Sequence, residues 1–318
     1  MTSGSLRLPL RLGTRNSKLA RRQTDLVCAA LIAAAPELAA PDAITIIPMQ
    51  SSGDWRPGQK ETTIAMLGGN KGLFAKELEV ALRDGRIDCA VHSAKDLETL
   101  IPDDLCLAAF PRRDDPRDAF ISPLAAHPRD LPSGARIGTS SLRRAAQLLH
   151  VRPDIKVEPF RGNVDTRLRK LADGQVDATL LAYAGLMRLG IADAATAILS
   201  PEEMLPAVAQ GALAIEIRRD DHALHHVLRR INDPVTETCV MIERTFLLHL
   251  NGSCRTPVAA MATLLPDGQI DFLALAAKPD GTMLKRHHQV WNSETAMAQA
   301  GALGRTMRQD LPVDLLCV

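Results

Sequence analysis

Cys254 lies in Asn251-Gly252-Ser253-Cys254-Arg255-Thr256-Pro257, a turn-rich loop directly after an apolar helical stretch, where a thiol is open to chemistry. The other five cysteines (Cys28, Cys89, Cys106, Cys239 and Cys317) stand beside Ala, Val, Leu or Ile and read as small buried hydrophobes. On residue type alone Cys254 is either a functional thiol or an incidental loop cysteine. Asp96 is the second candidate, at the end of the strand and loop 87–96, just after Ser93 and beside Lys95. A carboxylate there can shuttle a proton or stabilise a developing cation; equally, it can cap a turn with support from Lys95.

Cations gather in similar loops. Gly138-Thr139-Ser140-Ser141-Leu142-Arg143-Arg144 places hydroxyls at a helix start, where they cap free N–H groups, and two arginines in the first turn. Cations there oppose the helix dipole, whereas a bound anion would reverse the argument. The other reading makes them solvated side chains or partners of Asp165. Arg161 and Arg167 flank Gly162-Asn163, with Asn163 as the expected cap, and Arg15 holds the corresponding place earlier in the chain. Guanidinium groups at strand ends suit a polycarboxylate, and phosphate fits equally well on charge. There is no phosphate loop of the Gly-x-x-x-x-Gly-Lys-Ser/Thr kind and no clear dinucleotide fingerprint. His222, His225 and His226 fall on a charged helix and His287-His288 in a strand, so no metal is expected.

The elements that must position these residues come in echoes. Leu82-Arg83-Asp84-Gly85-Arg86-Ile87-Asp88-Cys89 parallels Leu171-Ala172-Asp173-Gly174-Gln175-Val176-Asp177-Ala178, each a helix end, a glycine cap and a buried strand. Leu12-Gly13-Thr14-Arg15-Asn16-Ser17 parallels Ile137-Gly138-Thr139-Ser140-Ser141-Leu142. Two α/β domains of similar build follow, with chemistry expected at the carboxyl ends of their strands. The charged, proline-bounded run 111–118 suits an exposed crossover. After about residue 231 the pattern changes to a helix from about Glu237 to Leu250, the cysteine loop, strands at Val258–Leu264, Ile270–Lys278 and Met283–Trp291, and a helix from about Glu294. Short turns at Pro266-Asp267-Gly268 and Pro279-Asp280-Gly281 imply a three-stranded antiparallel meander.

Composition narrows the class. A chain of 318 residues can form two or three domains. Its net charge of +1 and 3% aromatic content give no support to a nucleic-acid or acidic-membrane partner. No segment reads as a signal peptide or membrane span, so a soluble cytoplasmic protein is expected. Six cysteines without a Cys-x-x-Cys pair argue against a disulfide scaffold or structural zinc.

Taken in order, the segments resemble the porphobilinogen deaminase (hydroxymethylbilane synthase) family nearly end to end. The resemblance is carried by Thr14-Arg15-Asn16-Ser17, Lys71-Gly72-Leu73-Phe74-Ala75-Lys76-Glu77-Leu78-Glu79, His92-Ser93-Ala94-Lys95-Asp96, Asp115-Pro116-Arg117-Asp118-Ala119-Phe120 and 138–144. It continues through Arg161-Gly162-Asn163, Leu181-Ala182-Tyr183-Ala184-Gly185-Leu186, Leu205-Pro206-Ala207-Val208-Ala209-Gln210-Gly211 and the Cys254 loop. The chain departs from the family pattern at the inserted Asn70, at Leu97-Glu98 where Val-Pro is common, at Met66 where lysine is frequent and at Ser52 where arginine is frequent.

The resemblance implies an enzyme that joins four porphobilinogen molecules head to tail, releasing ammonia each time, and frees hydroxymethylbilane by hydrolysis. It implies a dipyrromethane cofactor, built from substrate and held through a thioether by Cys254 as an anchor. Asp96 would be the catalytic carboxylate, serving the cations that form as an azafulvene is attacked by a terminal pyrrole. Arg15, Arg143, Arg144, Arg161 and Arg167 would bind the acetate and propionate groups of cofactor and growing oligopyrrole chain, assisted by Lys71, Lys95, Ser17, Ser93, Thr139, Ser140 and Ser141. The expected architecture is α/β: two doubly wound domains of periplasmic-binding-protein-like build flanking a cleft, 1–111 with 212–230 and 112–211, then an α+β third domain, 231–318, bearing the cysteine. A monomer is expected. The alternative from another class is a non-catalytic two-domain anion-binding protein, which would have no use for Asp96 or the Cys254 loop.

Overall fold

The computed structural model describes residues 6–51, 75–251 and 256–311. In chain order it runs β1 (Leu10–Arg15), α1 (Lys18–Ala34), β2 (Ile44–Met49), α2 (Lys76–Arg83), β3 (Cys89–Ser93) and β4 (Leu105–Ala109). Next come β5 (Asp118–Ile121), β6 (Arg136–Gly138), α3 (Leu142–Val151), β7 (Lys156–Glu158), α4 (Val164–Ala172), β8 (Ala178–Ala182), α5 (Tyr183–Leu189) and β9 (Ala197–Leu199). The chain continues with β10 (Leu213–Arg218), α6 (His222–Leu228), α7 (Pro234–Leu250), β11 (Val258–Leu264), β12 (Gln269–Ala277), β13 (Leu284–Asn292) and α8 (Ser293–Asp310).

The described residues divide into two compact units, one of 6–51, 75–114 and 212–238, the other of 115–211, 239–251 and 256–311. The first is built on a five-stranded sheet in the order β2-β1-β3-β10-β4, and the second on one in the order β7-β6-β8-β5-β9. β1 pairs in parallel with β2 and β3, as β6 does with β7 and β8. Each sheet also holds one antiparallel strand, β10 between β3 and β4 and β5 between β8 and β9. β5 follows the crossing between units at 114/115, and β10 the one at 211/212. The echoes in sequence are thus echoes in topology. Gly85 and Gly174 take φ of 65° and 69°, the left-handed turn expected after α2 and α4.

Both large sheets are covered on two faces. In the first unit Leu12, Val27, Leu31, Val91, Ile215 and Leu228 pack one face, while Leu78, Leu82, Ile87 and Ala90 pack the other. In the second, Phe120, Ile137, Leu148 and Leu180 pack one side and Ala119, Phe160, Leu171 and Leu186 the opposite one. Burying both faces explains why the central strands read as continuous apolar runs rather than alternations.

The expected meander is present as an antiparallel sheet in the order β11-β12-β13. Phe272 stacks on Trp291 at 4.7 Å between ring centroids and meets Phe246 of α7 edge-on at 5.6 Å. By compactness this segment belongs with the second unit. Leu275 and Ala277 share a buried cluster with Ala146 of α3, and the His150 ring bonds the Gly281 carbonyl at 3.0 Å. The sheet therefore braces the helix that carries Arg143 and Arg144.

Candidate functional site

In the first unit, Arg15 and Asp96 come together at the carboxyl ends of β1 and β3. Arg15 Nη1 lies 3.7 Å from Asp96 Oδ2, with side chains 24% and 34% exposed. They line a small depression with Gln23, His92 and Ser93. Asp96 closes a single 3-10 turn, Ala94–Asp96, and Lys95 beside it is half-buried. Ser93 Oγ and the Gln23 side-chain amide bond each other at 2.9 Å from Gln23 Nε2 and 3.2 Å to its Oε1. Ser17 serves as N-cap of α1, its Oγ accepting from Ala20 N at 3.2 Å. A larger concavity of about 610 Å³, beside Met49, Gln50, Lys76 and Glu77, is lined by none of these residues.

Arg143 and Arg144, in the second unit, are committed inward. Arg143 Nη1 sits 2.7 Å from Asp118 Oδ2 and donates to the Leu205 carbonyl; Arg144 Nη2 donates to Asp118 Oδ1 at 2.7 Å and Nη1 to the Leu180 carbonyl. Gln210 Nε2 adds a third donor to Asp118 at 2.9 Å. The partner of the two arginines is therefore Asp118, not Asp165. Burial pushes the Asp118 carboxyl upward, but Arg143 and Arg144 outweigh it and hold it below the usual range. Burial likewise pushes the Arg143 guanidinium down against the pull of Asp118.

The hydroxyls at this helix start are shared with the backbone. Ser141 caps α3, Thr139 Oγ1 accepts from Ser141 N at 3.2 Å, and Ser140 Oγ accepts from Phe160 N at 2.8 Å. Nearby in sequence, Arg161 is buried, and its carbonyl accepts from Lys170 Nζ at 3.1 Å. Arg167 is half-buried and donates Nε to the Gly162 carbonyl at 2.9 Å, one turn after the Asn163 cap. Cys254, Lys71, Ser52, Met66, Asn70 and Cys317 lie outside the described residues.

Gln23 and Glu216 fall in no motif, and Asp118, inside the motif 115–120, had no role assigned to it. Gln23 falls on the buried stripe of α1 between Ala20 and Val27, where a polar side chain signals a partner. Asp118 begins a wholly buried strand, and Glu216, bonded to His92 at 3.0 Å, interrupts the apolar β10. A charged residue inside a buried run is the available sequence signal.

The donor set suits a carboxylate-bearing group. Arg143 and Arg144 each keep a buried Nε with no hydrogen-bond partner among the described residues, so each guanidinium retains a donor to give. Arg15 and Asp96 are partly exposed and more than a direct hydrogen bond apart, a guanidinium and a carboxylate lining the same depression. The residues fit.

The sequence matches the family model of the porphobilinogen deaminase dipyromethane cofactor binding domain over residues 10–226, and that of the porphobilinogen deaminase C-terminal domain over residues 237–311. The chain belongs to the porphobilinogen deaminase family. It is 48% identical over 300 residues to the porphobilinogen deaminase of Nitrobacter winogradskyi, covering 94% of this chain and 92% of that protein. With the chloroplastic porphobilinogen deaminase of Oryza sativa subsp. japonica it shares 47% over 273 residues, 86% and 75% of the two chains. A nutrient binding protein from Burkholderia cenocepacia bound to methionine is similar at a TM-score of 0.43 and 15% identity, over 75% of this chain and 95% of that one, too loosely to carry an argument.

Membership makes the chain an enzyme of tetrapyrrole synthesis, and the non-catalytic anion-binding alternative is not favoured. Both donor sets, around Asp96 and around Asp118, fall within the porphobilinogen deaminase cofactor-binding domain, while Cys254 falls within the residues matched to its C-terminal domain. Among the described residues no group of His, Cys, Asp or Glu is arranged to hold a metal, and no helix is long and apolar enough to cross a membrane.

Proposed function

We propose that this chain is a hydroxymethylbilane synthase, joining four porphobilinogen molecules head to tail with loss of ammonia and releasing hydroxymethylbilane by hydrolysis. The observation that carries the reading is the loose Arg15–Asp96 pair at the strand ends of a chain of this family. Dipyrromethane, held as a thioether by Cys254, supplies the pyrrole to which substrate units are added.

The protein's own residues act on charge and protons. Departure of ammonia needs a proton at the leaving amine, and the attacking ring must lose one after the new carbon–carbon bond forms. Asp96 gives a proton toward the leaving amine, then as a carboxylate stabilises positive charge at the pyrrole N–H, and regains a proton when the attacking ring loses its own. Arg15 steers a substrate carboxylate to the same place by guanidinium pairing, with Lys95, Ser93 and Ser17 adding donors. Arg161 and Arg167 bind carboxylates of the chain, with Lys71 assisting. Arg143 and Arg144, fixed by Asp118, offer their remaining donors to the same class of group, and Thr139, Ser140 and Ser141 hold the helix start that presents them.

The proposal includes a three-part division, 1–111 with 212–230, 112–211 and 231–318, and a cytoplasmic monomer with porphobilinogen and the oligopyrrole as its partners. No nucleic acid or membrane takes part. Intact mass paired with a porphobilinogen consumption assay tests the reading. The wild type is expected to carry a dipyrromethane adduct, absent in Cys254→Ser, and to release ammonia. An active, unmodified wild type sinks the cofactor assignment, and anion binding without consumption sinks the enzyme.

A further inference from the structure

Behind the Arg15–Asp96 pair lies a buried acid that the reaction outlined above leaves unused. Glu216 Oε2 is 3.0 Å from His92 Nε2, with side chains 0% and 5% exposed. The two side chains share one hydrogen bond, whose donor is set by the imidazole tautomer. The other oxygen, Oε1, is buried with no hydrogen-bond partner among the described residues.

Stability does not account for this acid. β10 reads Leu-Ala-Ile-Glu-Ile from Leu213 to Ile217, and an apolar residue of similar size would pack without the desolvation that a half-satisfied carboxylate suffers. Its neighbourhood is already acidic. Glu79 of α2 is raised by burial and then by Glu216, against Arg83 and His92, and Arg83 is itself tied to Asp104 at 2.6 Å.

What Glu216 does hold is the strand end that presents the site. His92 lies opposite Ala214 in the β3–β10 register and immediately precedes Ser93; the following Ala94 N bonds the Ala212 carbonyl at 3.0 Å. β1 and β3 pair Gly13 with Ala90, and strand alternation places Arg15 and His92, two residues further along each, on that same face. His92 also lines the depression that Arg15, Ser93 and Asp96 share. The side chains therefore run in series, Glu216 to His92 to the Arg15–Asp96 site.

We propose that Glu216 is a positioning residue for the reaction: it fixes the His92 imidazole, and through it the end of β3 that aims Ser93 and Asp96. This rests on the reading that Asp96 carries the chemistry.

The test uses full-length protein bearing its adduct, with Glu216→Gln, His92→Gln, the double variant and Asp96→Asn in parallel. Each single variant of the pair is expected to lower kcat about tenfold or more with KM within about threefold and the adduct mass unchanged, since the aim is lost but not the binding groups. The double variant should be no worse than the weaker single, because both remove one device. A downfield imidazole N–H resonance, missing in His92→Gln, should be missing in Glu216→Gln as well. Should Glu216→Gln not fold, His92→Gln with that resonance carries the test.

Turnover within about twofold of wild type in the pair variants while Asp96→Asn is inactive overturns the proposal and leaves the Asp96 reading standing. So do additive losses accompanied by a falling melting temperature and missing adduct, or failure of both single variants to fold. An active Asp96→Asn removes the Asp96 reading itself, and impaired pair variants beside it show that the pair serves some other group, which also overturns the proposal.

Discussion

Arg15 and Asp96 stand 3.7 Å apart, whereas Arg144 and Asp118 stand 2.7 Å apart with both side chains almost fully buried. The first pair is wider than a direct hydrogen bond and both side chains stay partly exposed, so little desolvation holds it together. The second is closed, with three donors on one carboxylate. One arrangement suits exchange of partners during a reaction, and the other suits holding two guanidiniums still.

Asp96→Asn is expected to lower turnover about a hundredfold or more, the scale of a lost general acid or base. Its stability should stay within about 1 kcal/mol, because a half-exposed ion pair contributes little. Single-turnover kinetics on variant protein with its adduct verified by mass checks both. Near-normal turnover would remove Asp96 from the reaction.

Asp118→Asn should behave in the opposite sense, destabilising by about 3–5 kcal/mol because two buried arginines lose their counter-ion. Urea unfolding monitored by circular dichroism measures it. A cost below about 1 kcal/mol would mean that the carbonyls of Leu205 and Leu180 hold the arginines unaided.

Acid should reveal the same carboxylate. Asp118, and Asp88 bonded through both oxygens to Arg11, face burial that pushes them up and arginines that push harder down, so both fold with carboxyls below their ordinary value. A depressed acid contributes stability that is fully present above the unfolded value, about pH 4, and is lost as pH falls through the folded one. Unfolding midpoints should therefore hold from pH 7 to about 5 and decline below about 4, more gently in Asp118→Asn. A midpoint already falling at pH 6 would point to other groups.

Thiol chemistry separates the cysteines. Burial pushes Cys28 up to about 11 and also raises Cys89 and Cys106, leaving little thiolate for alkylation in the native protein. After denaturation, iodoacetamide should label five of the six cysteines, six less the thioether-bound Cys254. Six labels on active protein would contradict the attachment.

Ser17→Ala should cost about 1 kcal/mol through the lost α1 cap, while Ser17→Asn should restore it. Thermal melts report the cap and KM for porphobilinogen reports the hydroxyl as a ligand donor. A raised KM in Ser17→Asn at wild-type stability would show that the hydroxyl does both.

Local features were legible without coordinates. The caps at Ser141 and Asn163, the glycine turns at 85 and 174, and the meander after residue 256 depend on neighbours a few positions away. The meander strands begin within a residue of expectation, and α7 starts earlier, at Pro234, because proline is favourable in a first helical turn. The motif series also pointed to the family and to a polycarboxylate ligand.

Which charges meet was not legible, because sheet order decides it. Antiparallel β10, returning late in the chain to lie between β3 and β4, brings Glu216 to His92 from 124 residues away. The antiparallel β5 brings Asp118 under Arg143 and Arg144, a partner that the sequence does not offer beside the alternatives of a bound anion, solvent or Asp165. A sequence states residue type and local period, and these determined the elements, the caps and the chemistry on offer. The tertiary structure decided which guanidiniums are closed upon a buried acid and which stay partly exposed, because desolvation and a few ångströms of separation set that difference.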